Sequence, residues 1–226
     1  MTAAKKPKKT KRTVLIVDDH PMMRQGLAQL INSEPDLVAC GEAENAHQAL
    51  QLAAQTTPDL LLADISLPDK HGLELLKDVQ ALYPGLAVLV VSMHDESLYA
   101  ERVLRAGGRG YIMKQEGGKM MIQAIRTVLS GQIYVSEKMS AKILEIFSGR
   151  RSEASRSPIE KLTDREFEVF QLIGQGKGTR QIAQALHLSV KTVEVHRLHM
   201  KKKLELEDAP SLVRYAVRWV ETQRLG

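Results

Sequence analysis

Five polar residues each stand at the end of a short apolar run. Asp18 and Asp19 follow residues 14–17, Asp64 follows 60–63, Ser92 follows 86–91 and Lys114 follows 110–113. Three carboxylates gathered in one place repel one another unless a cation lies between them. All-oxygen donors suit a hard ion such as Mg2+, which takes a few carboxylates and keeps several waters. A carboxylate shielded in this way can attack a phosphoryl group and form an aspartyl phosphate. The Ser92 hydroxyl and the Lys114 ammonium can then hold the new phosphoryl oxygens. Any one of these acids, taken alone, reads as a helix cap or a solvated side chain. All five at run ends is a pattern that the bland reading does not produce.

For these residues to meet, the runs must be neighbouring strands. Residues 14–17, 37–40, 60–63, 86–91 and 110–113 are four to six residues long, rich in Leu or β-branched types, and bounded by Asp, Pro, Gly or Ser. Such runs predict buried strands of a parallel sheet. Between them lie amphipathic stretches at 22–32, 46–55, 73–82, 98–106 and 119–130. Five strands alternating with five helices predict a doubly wound α/β domain. Ligands bind such sheets outside the carboxyl ends of the strands, where the five residues lie.

The 226 residues suffice for two domains. Hydrophobic residues make up 43% and charged residues 26%, which excludes a collagen-like or wholly disordered chain. No apolar stretch approaches the roughly 20 residues of a membrane helix, and no apolar segment follows the basic start as in a signal peptide. The single cysteine, Cys40, excludes an internal disulfide and suits a reducing cytoplasm. Charge is segregated: +6 over residues 1–12, −6 over 13–135 and +5 over 136–226. The basic second half is a candidate for contact with a polyanion.

After Val135 only helical periods remain. Residues 138–147 predict one helix, and 148–158 (SGRRSEASRSP) read as a linker with little to bury. Thr163 and Glu166 can form a capping box, and Leu162 with Phe167 a hydrophobic staple, at the start of a helix running to Gly174. A second helix over 180–186, a turn at His187-Leu188-Ser189 and a third helix over 190–204 outline a helix-turn-helix. On the third helix Val193, His196, Arg197, Met200 and Leu204 form a stripe that can pack inward. Lys191, Glu194, Val195, Leu198 and Lys202 lie on the other face. In a DNA major groove Val195 and Leu198 could meet thymine methyls, and Glu194 could accept from a cytosine amino group. Lys191, Lys201, Lys202 and Lys203 are placed for phosphates.

The segments VLIVDDHP, LLLADISLPDKHG, VLVVSMHDE and GYIMK resemble the receiver domain of two-component response regulators over residues 13–131. The resemblance implies a flavodoxin-like five-stranded parallel sheet. It implies Asp64 as phosphoacceptor, with Mg2+ held by Asp18, Asp19, Asp64 and the Ser66 carbonyl. Ser92 would be the switch hydroxyl, Lys114 its counter-charge and Tyr111 the aromatic that moves with it. Two departures stand out: Leu67-Pro68 replaces the usual Met-Pro, and Gln115 replaces the proline that often follows the lysine.

LTDREFEVFQLIGQGKGTRQIAQALHLSVKTVEVHRLHMKKKL is similar to the LuxR-type (NarL/FixJ) DNA-binding domain, a separate all-α four-helix unit over 159–226. By that resemblance Lys191 and Thr192 open the recognition helix and His196 belongs to its semi-buried face. The usual Ser-Asn-Lys-Glu is here Gly178-Thr179-Arg180-Gln181, in which Thr179 can cap the second helix beside the DNA backbone. The implied partners are a cognate sensor histidine kinase, double-stranded promoter DNA, RNA polymerase and a second copy of the chain in a phosphorylation-dependent homodimer. The expected organisation is a basic tail over 1–12, the receiver over 13–131, a linker with one helix over 132–158 and the DNA-binding unit after it.

Two other readings remain open at this point. An aspartyl-phosphate hydrolase usually has a second acid two residues after its nucleophile, where this chain has Ser66, and needs a substrate-selecting cap for which no insertion is long enough. A DNA-binding protein whose receiver serves only as an unphosphorylated dimerisation module would not need the full acidic set. The chain is therefore expected to be a regulator and not an enzyme.

Overall fold

A computed structural model describes residues 11–147 and 158–225. The chain divides into two compact units, residues 1–144 and 145–226.

The first unit carries β1 (Arg12–Val17), α1 (Pro21–Asn32), β2 (Leu37–Ala43), α2 (Ala46–Thr56), β3 (Leu60–Asp64), α3 (Gly72–Leu82), β4 (Ala87–Ser92), α4 (Glu96–Arg105), β5 (Gly110–Met113) and α5 (Gly118–Leu129). All strand pairs are parallel and the order is β2-β1-β3-β4-β5, the flavodoxin-like arrangement expected from the sequence. Pleating sends Val14, Ile16, Leu60, Leu62, Leu89, Val91 and Ile112 to one face, where they pack with Leu27 and Ile31 of α1 and Met121, Ile125 and Val128 of α5. Leu15, Leu61, Val88, Val90 and Tyr111 alternate with them and are equally buried. With both faces covered, residues 14–17, 60–63 and 88–91 read as continuous apolar runs.

Three details differ from expectation. β2 continues three residues past Cys40, because its register against β1 shifts between Val14 and Leu15 and leaves Cys40 as an extra residue. Gly41 and Glu42 ended the apolar run in the sequence, but an edge strand tolerates them. β1 begins at Arg12, which therefore does not belong to the tail: its N–H donates to the Asp36 carbonyl and its side chain pairs with Asp59 at 3.3 Å. Of the rest of the tail, residues 1–10 lie outside the described residues. Finally, Tyr134 runs along the far edge of β5, donating to the Arg109 carbonyl and accepting from the Tyr111 N–H. A covered edge offers no template for pairing with another chain.

A sixth helix, α6 (Glu137–Phe147), follows, and Met139 on it is buried. Most of the expected linker, residues 148–157, lies outside the described residues. Pro158–Lys161 is a 3-10 turn that buries Ile159.

The second unit holds α7 (Asp164–Gly174), α8 (Thr179–Ala185), α9 (Val190–Lys203) and α10 (Ala209–Leu225). Phe167 and Phe170 of α7 meet Trp219 edge-on at 5.5 and 5.7 Å. Gly174 lets α10 cross closely, since a Cβ there would lie 2.6 Å from the Ala216 carbonyl oxygen. Among the described residues of this unit there is no strand, as expected.

Candidate functional site

Each functional side chain of the first unit is set by a strand end. β1 places Asp18 and Asp19, β3 places Asp64, β4 places Ser92 and β5 places Lys114, all at one edge of the sheet. Asp18 and Asp64 are buried, and Lys114 Nζ lies between them, 2.6 Å from Asp18 Oδ2 and 2.7 Å from Asp64 Oδ2. Burial, offset only in part by Lys114, pushes the Asp64 carboxyl up to about 6. Burial also opposes the charge of Lys114, but Asp64 and Asp18 outweigh it and hold the ammonium above the usual lysine range. The Ser66 N–H donates to the Asp64 carboxylate.

The start of α3 closes the pocket from below. A Cβ at Gly72 would lie 2.3 Å from the Asp64 carbonyl oxygen, so only glycine fits there. His71 caps α3, its Nδ1 accepting from the Leu73 N–H. Asp69, in the same loop, accepts from the Ala46 and His47 N–H groups at the N-terminus of α2. The loop after Asp64 is thus tied to two helix starts.

Ser92 and Tyr111 are both buried. The Tyr111 hydroxyl donates to the His94 carbonyl at 2.8 Å, and Ser92 lies near enough to influence it electrostatically. Burial pushes this phenol well above its ordinary range. The Ser92 hydroxyl accepts from the His94 N–H at 3.1 Å. His94 also reaches Ser66, with Nε2 and Oγ 3.2 Å apart, and its ring lies 5.0 Å from that of Tyr99. The Leu67-Pro68 departure keeps Leu67 buried, and among the described residues no peptide bond is cis, that between Lys114 and Gln115 included.

The donor set fits a divalent cation. Ligand atoms of Asp18, Asp19, His20 and Asp64 all lie within 4.8 Å of one another. Asp19 Oδ1 is buried and accepts no aligned hydrogen bond, although His20 Nδ1 stands 2.6 Å away. Sequence reasoning passed over His20, although it directly follows the paired acids. It also passed over His94, whose two-residue spacing from Ser92 was visible but whose contacts arise only in the fold.

In the second unit, Thr163 and Glu166 form the expected capping box on α7, and Leu162 and Phe167 are buried as a staple requires. α8 begins one residue earlier than expected. Gly178, not Thr179, is its cap, and Gln181 Oε1 accepts the Gly178 N–H at 2.9 Å. Thr179 is the first helical residue. Ser189 caps α9, accepting from the Thr192 N–H, and His187 adopts a left-handed conformation (φ 52°) in the turn between the two helices.

α9 has the two faces that its spacing predicts. Val193, Met200 and Leu204 are buried, while Lys191, Glu194, Val195, Leu198 and Lys202 are exposed and Lys201 is half-buried. Lys203 departs from expectation: its Nζ lies 2.6 Å from Oε2 of the buried Glu166 and serves the interior. Burial opposes the Glu166 charge, but Lys203 and the Thr163 N–H outweigh it and hold the carboxyl below its usual range. Arg165 binds both Glu168 and the Leu186 carbonyl, which joins α7 to the end of α8. Burial pushes the His196 imidazole down.

Comparison with known proteins agrees with both halves. The family model described as response regulator receiver domain matches residues 14–126, and that of bacterial regulatory proteins, luxR family, matches residues 160–216. The oxygen regulatory protein NreC of Staphylococcus carnosus is 34% identical over 209 residues, which cover 91% of this chain and 96% of NreC. A LuxR-family response regulator from Aurantimonas sp. SI85-9A1 is 30% identical with a TM-score of 0.57, over 62% of this chain and 99% of that one. RcsB from Salmonella enterica serovar Typhimurium, solved bound to promoter rprA with the phosphomimetic BeF3-, shares the fold. Its TM-score is 0.61 at 24% identity, over 92% of this chain and 99% of that one. Among the described residues no helix is long and apolar enough to cross a membrane. With a receiver model on one half, a luxR model on the other and a relative of 34% identity spanning both, the chain belongs to the LuxR-type two-component response regulators, which join a receiver domain to a DNA-binding domain.

Proposed function

We propose that a partner histidine kinase phosphorylates Asp64, and that this controls dimerisation and promoter binding. The supporting observation is the buried Asp64 carboxylate held by Lys114 at 2.7 Å beside Asp18 and Asp19. Lys114 occupies Oδ2, so attack falls to Oδ1. The Asp64 oxygen bonds to phosphorus as the P–N bond to the kinase histidine breaks, and the leaving imidazole keeps the electron pair and takes up a proton. Lys114 then pairs with the phosphoryl oxygens. Asp18, Asp19, Asp64 and the Ser66 carbonyl would hold Mg2+, which, when bound, shields the charge that builds up at phosphorus.

Ser92 would turn toward the phosphoryl group. Its hydroxyl would leave the His94 N–H, and Tyr111, which holds the His94 carbonyl, would move with it. That pair is the element through which the charge at Asp64 biases the rest of the receiver. On DNA, Lys191, Thr192, Lys201 and Lys202 would contact phosphates with Thr179, while Glu194, Val195 and Leu198 face base edges. Lys203 is engaged with Glu166 and would not contact phosphate. Recruitment of RNA polymerase and a cytoplasmic setting complete the reading.

The test is the intact mass after incubation with Mg2+ and a small phosphodonor, beside Asp64→Asn. One phosphoryl added to the parent and none to the variant supports the assignment. No addition under any condition returns the receiver to a constitutive dimerisation module.

A further inference from the structure

We propose that Glu96 and Ser136 form a latch that holds the first turn of α6 on the receiver, and that phosphorylation of Asp64 opens it. The opening step rests on the function proposed above. The latch itself rests on contacts that lie outside the acidic pocket.

Two arms leave His94 and meet on the segment that joins α5 to α6. One runs through α4. The His94 N–H donates to the Ser92 hydroxyl, Asp95 caps the helix by accepting from the Ser97 N–H at 2.8 Å, and Glu96 is the first helical residue. Glu96 Oε1 in turn accepts the Ser136 N–H at 2.7 Å, across 40 residues of sequence. The other arm runs through β5. The Tyr111 hydroxyl donates to the His94 carbonyl, and the Tyr111 backbone N–H donates to the Tyr134 carbonyl at 2.9 Å. Tyr134 lies close against β5 because Gly110 has no side chain: a Cβ there would stand 2.7 Å from the Tyr134 carbonyl oxygen. His94, Glu96, Ser136, Tyr134 and Tyr111 thus close a ring of hydrogen bonds joined by short stretches of chain.

Ser136 is also where α6 begins. Its carbonyl accepts from the Ser140 N–H at 2.9 Å and its hydroxyl from the Met139 N–H at 3.1 Å, and Met139 is buried. The Glu96 carboxylate therefore stands at the N-terminus of α6, where negative charge is favoured, and its bond to Ser136 is charge-assisted. The two arms yield differently. The Tyr111–Tyr134 bond joins backbones along the sheet edge, whereas the Glu96–Ser136 bond hangs on one side chain at the end of the Ser92–Asp95 loop. When Ser92 turns to a phosphoryl group, the His94 N–H loses its acceptor and Glu96, two residues on, moves with the loop. Tyr134 stays on β5, Ser136 is released, and Val135 becomes the hinge. In sequence α6 leads to the second unit, so the latch is where charge at Asp64 reaches the chain that carries the DNA-binding domain.

Amide hydrogen exchange is followed in the full chain, with and without Mg2+ and a small phosphodonor, for the parent, Glu96→Ala, Glu96→Gln and Ser136→Ala. Intact mass records the phosphoryl load, and unchanged exchange of the β-strand amides shows that each variant is folded. The Ser136 amide is expected to be protected in the unphosphorylated parent. Phosphorylation should speed its exchange by roughly tenfold or more, the scale of one lost bond to a charged group, and leave the Tyr111 and Tyr134 amides unchanged. Glu96→Ala should show the fast Ser136 exchange without phosphorylation. Glu96→Gln keeps an acceptor and should restore part of the protection, and Ser136→Ala keeps the N–H and should retain protection at position 136. Equally slow Ser136 exchange in the parent and Glu96→Ala would overturn the latch. Equal Ser136 exchange in the parent with and without a full phosphoryl load would overturn its opening. Absence of phosphoryl uptake by the parent defeats the proposed function and the opening step with it, while the Glu96→Ala comparison in the unloaded chain still decides the latch.

Discussion

Lys114 Nζ stands 2.7 Å from Asp64 Oδ2 and 2.6 Å from Asp18 Oδ2, so one ammonium bridges two buried carboxylates from different strands. The three groups lie at the ends of β5, β3 and β1, of which β1 and β3 are neighbours and β5 stands one strand beyond β3, and their meeting joins both halves of the sheet edge. Removing the cation leaves two buried anions facing each other. Lys114→Ala is expected to destabilise the receiver by about 3–5 kcal/mol at pH 7, the usual cost of breaking a buried pair. The loss should shrink at pH 5, where Asp64 takes up a proton. Urea unfolding at the two pH values measures both.

Asp64 itself titrates near 6 in the folded chain against a reference value of 3.8. Between those values the folded state binds more protons than the unfolded state. This group's contribution to stability therefore falls as pH rises from about 4 to about 6 and stays reduced above that. Asp64→Asn, neutral throughout, is expected to be more stable than the parent at pH 7 without Mg2+, by up to about 3 kcal/mol for a shift of roughly two units. The difference should vanish near pH 4. Thermal unfolding followed by circular dichroism across that range checks the sign.

The Tyr111 hydroxyl donates to the His94 carbonyl at 2.8 Å. Tyr111→Phe removes this bond and should cost about 1 kcal/mol of stability. Phosphoryl uptake by Asp64 should survive, because the phenol does not touch that carboxylate. On the proposed switch through Ser92, His94 and Tyr111, the gain in DNA affinity on phosphorylation should shrink. Fluorescence anisotropy with and without a phosphodonor separates the two effects.

Lys202 and Lys203 are neighbours in sequence with different duties. Lys202→Ala is expected to leave the melting temperature unchanged and to lower the slope of log affinity against log salt by about 1, as for one lost phosphate contact. Lys203→Ala strands the buried Glu166 carboxylate and should cost on the order of 2–3 kcal/mol of stability in the second unit. Parallel salt titrations and melts distinguish them. Equal behaviour of the two variants would contradict the assignment of Lys203 to the interior.

Much of this organisation was legible in the linear chain. The five apolar runs became the five strands because strands buried on both faces carry little but apolar residues, and that signal survives without knowledge of neighbours. The paired acids, Asp64, Ser92 and Lys114 could be placed at one edge because parallel strands all end on the same side. The two faces of α9 followed from its spacing, and the α7 capping box from Thr163 and Glu166, since both depend on residues three or four apart.

Other features depend on distant partners and were decided only by the tertiary structure. Cys40 became a bulge because β2 had to stay in register with β1. Gly72 is required because α3 starts against the Asp64 carbonyl, a contact not encoded by local conformation. Lys203 looked like its neighbours until α9 packed on α7 and brought it to Glu166, 37 residues away in sequence. His94 followed the same rule: its residue type was visible, but Ser66 and Tyr111, which it meets, belong to segments brought together by the sheet. Periodicity and local capping determined the elements of this protein, whereas the charge pairing inside its pocket and beneath α9 was set by packing between segments remote in the chain.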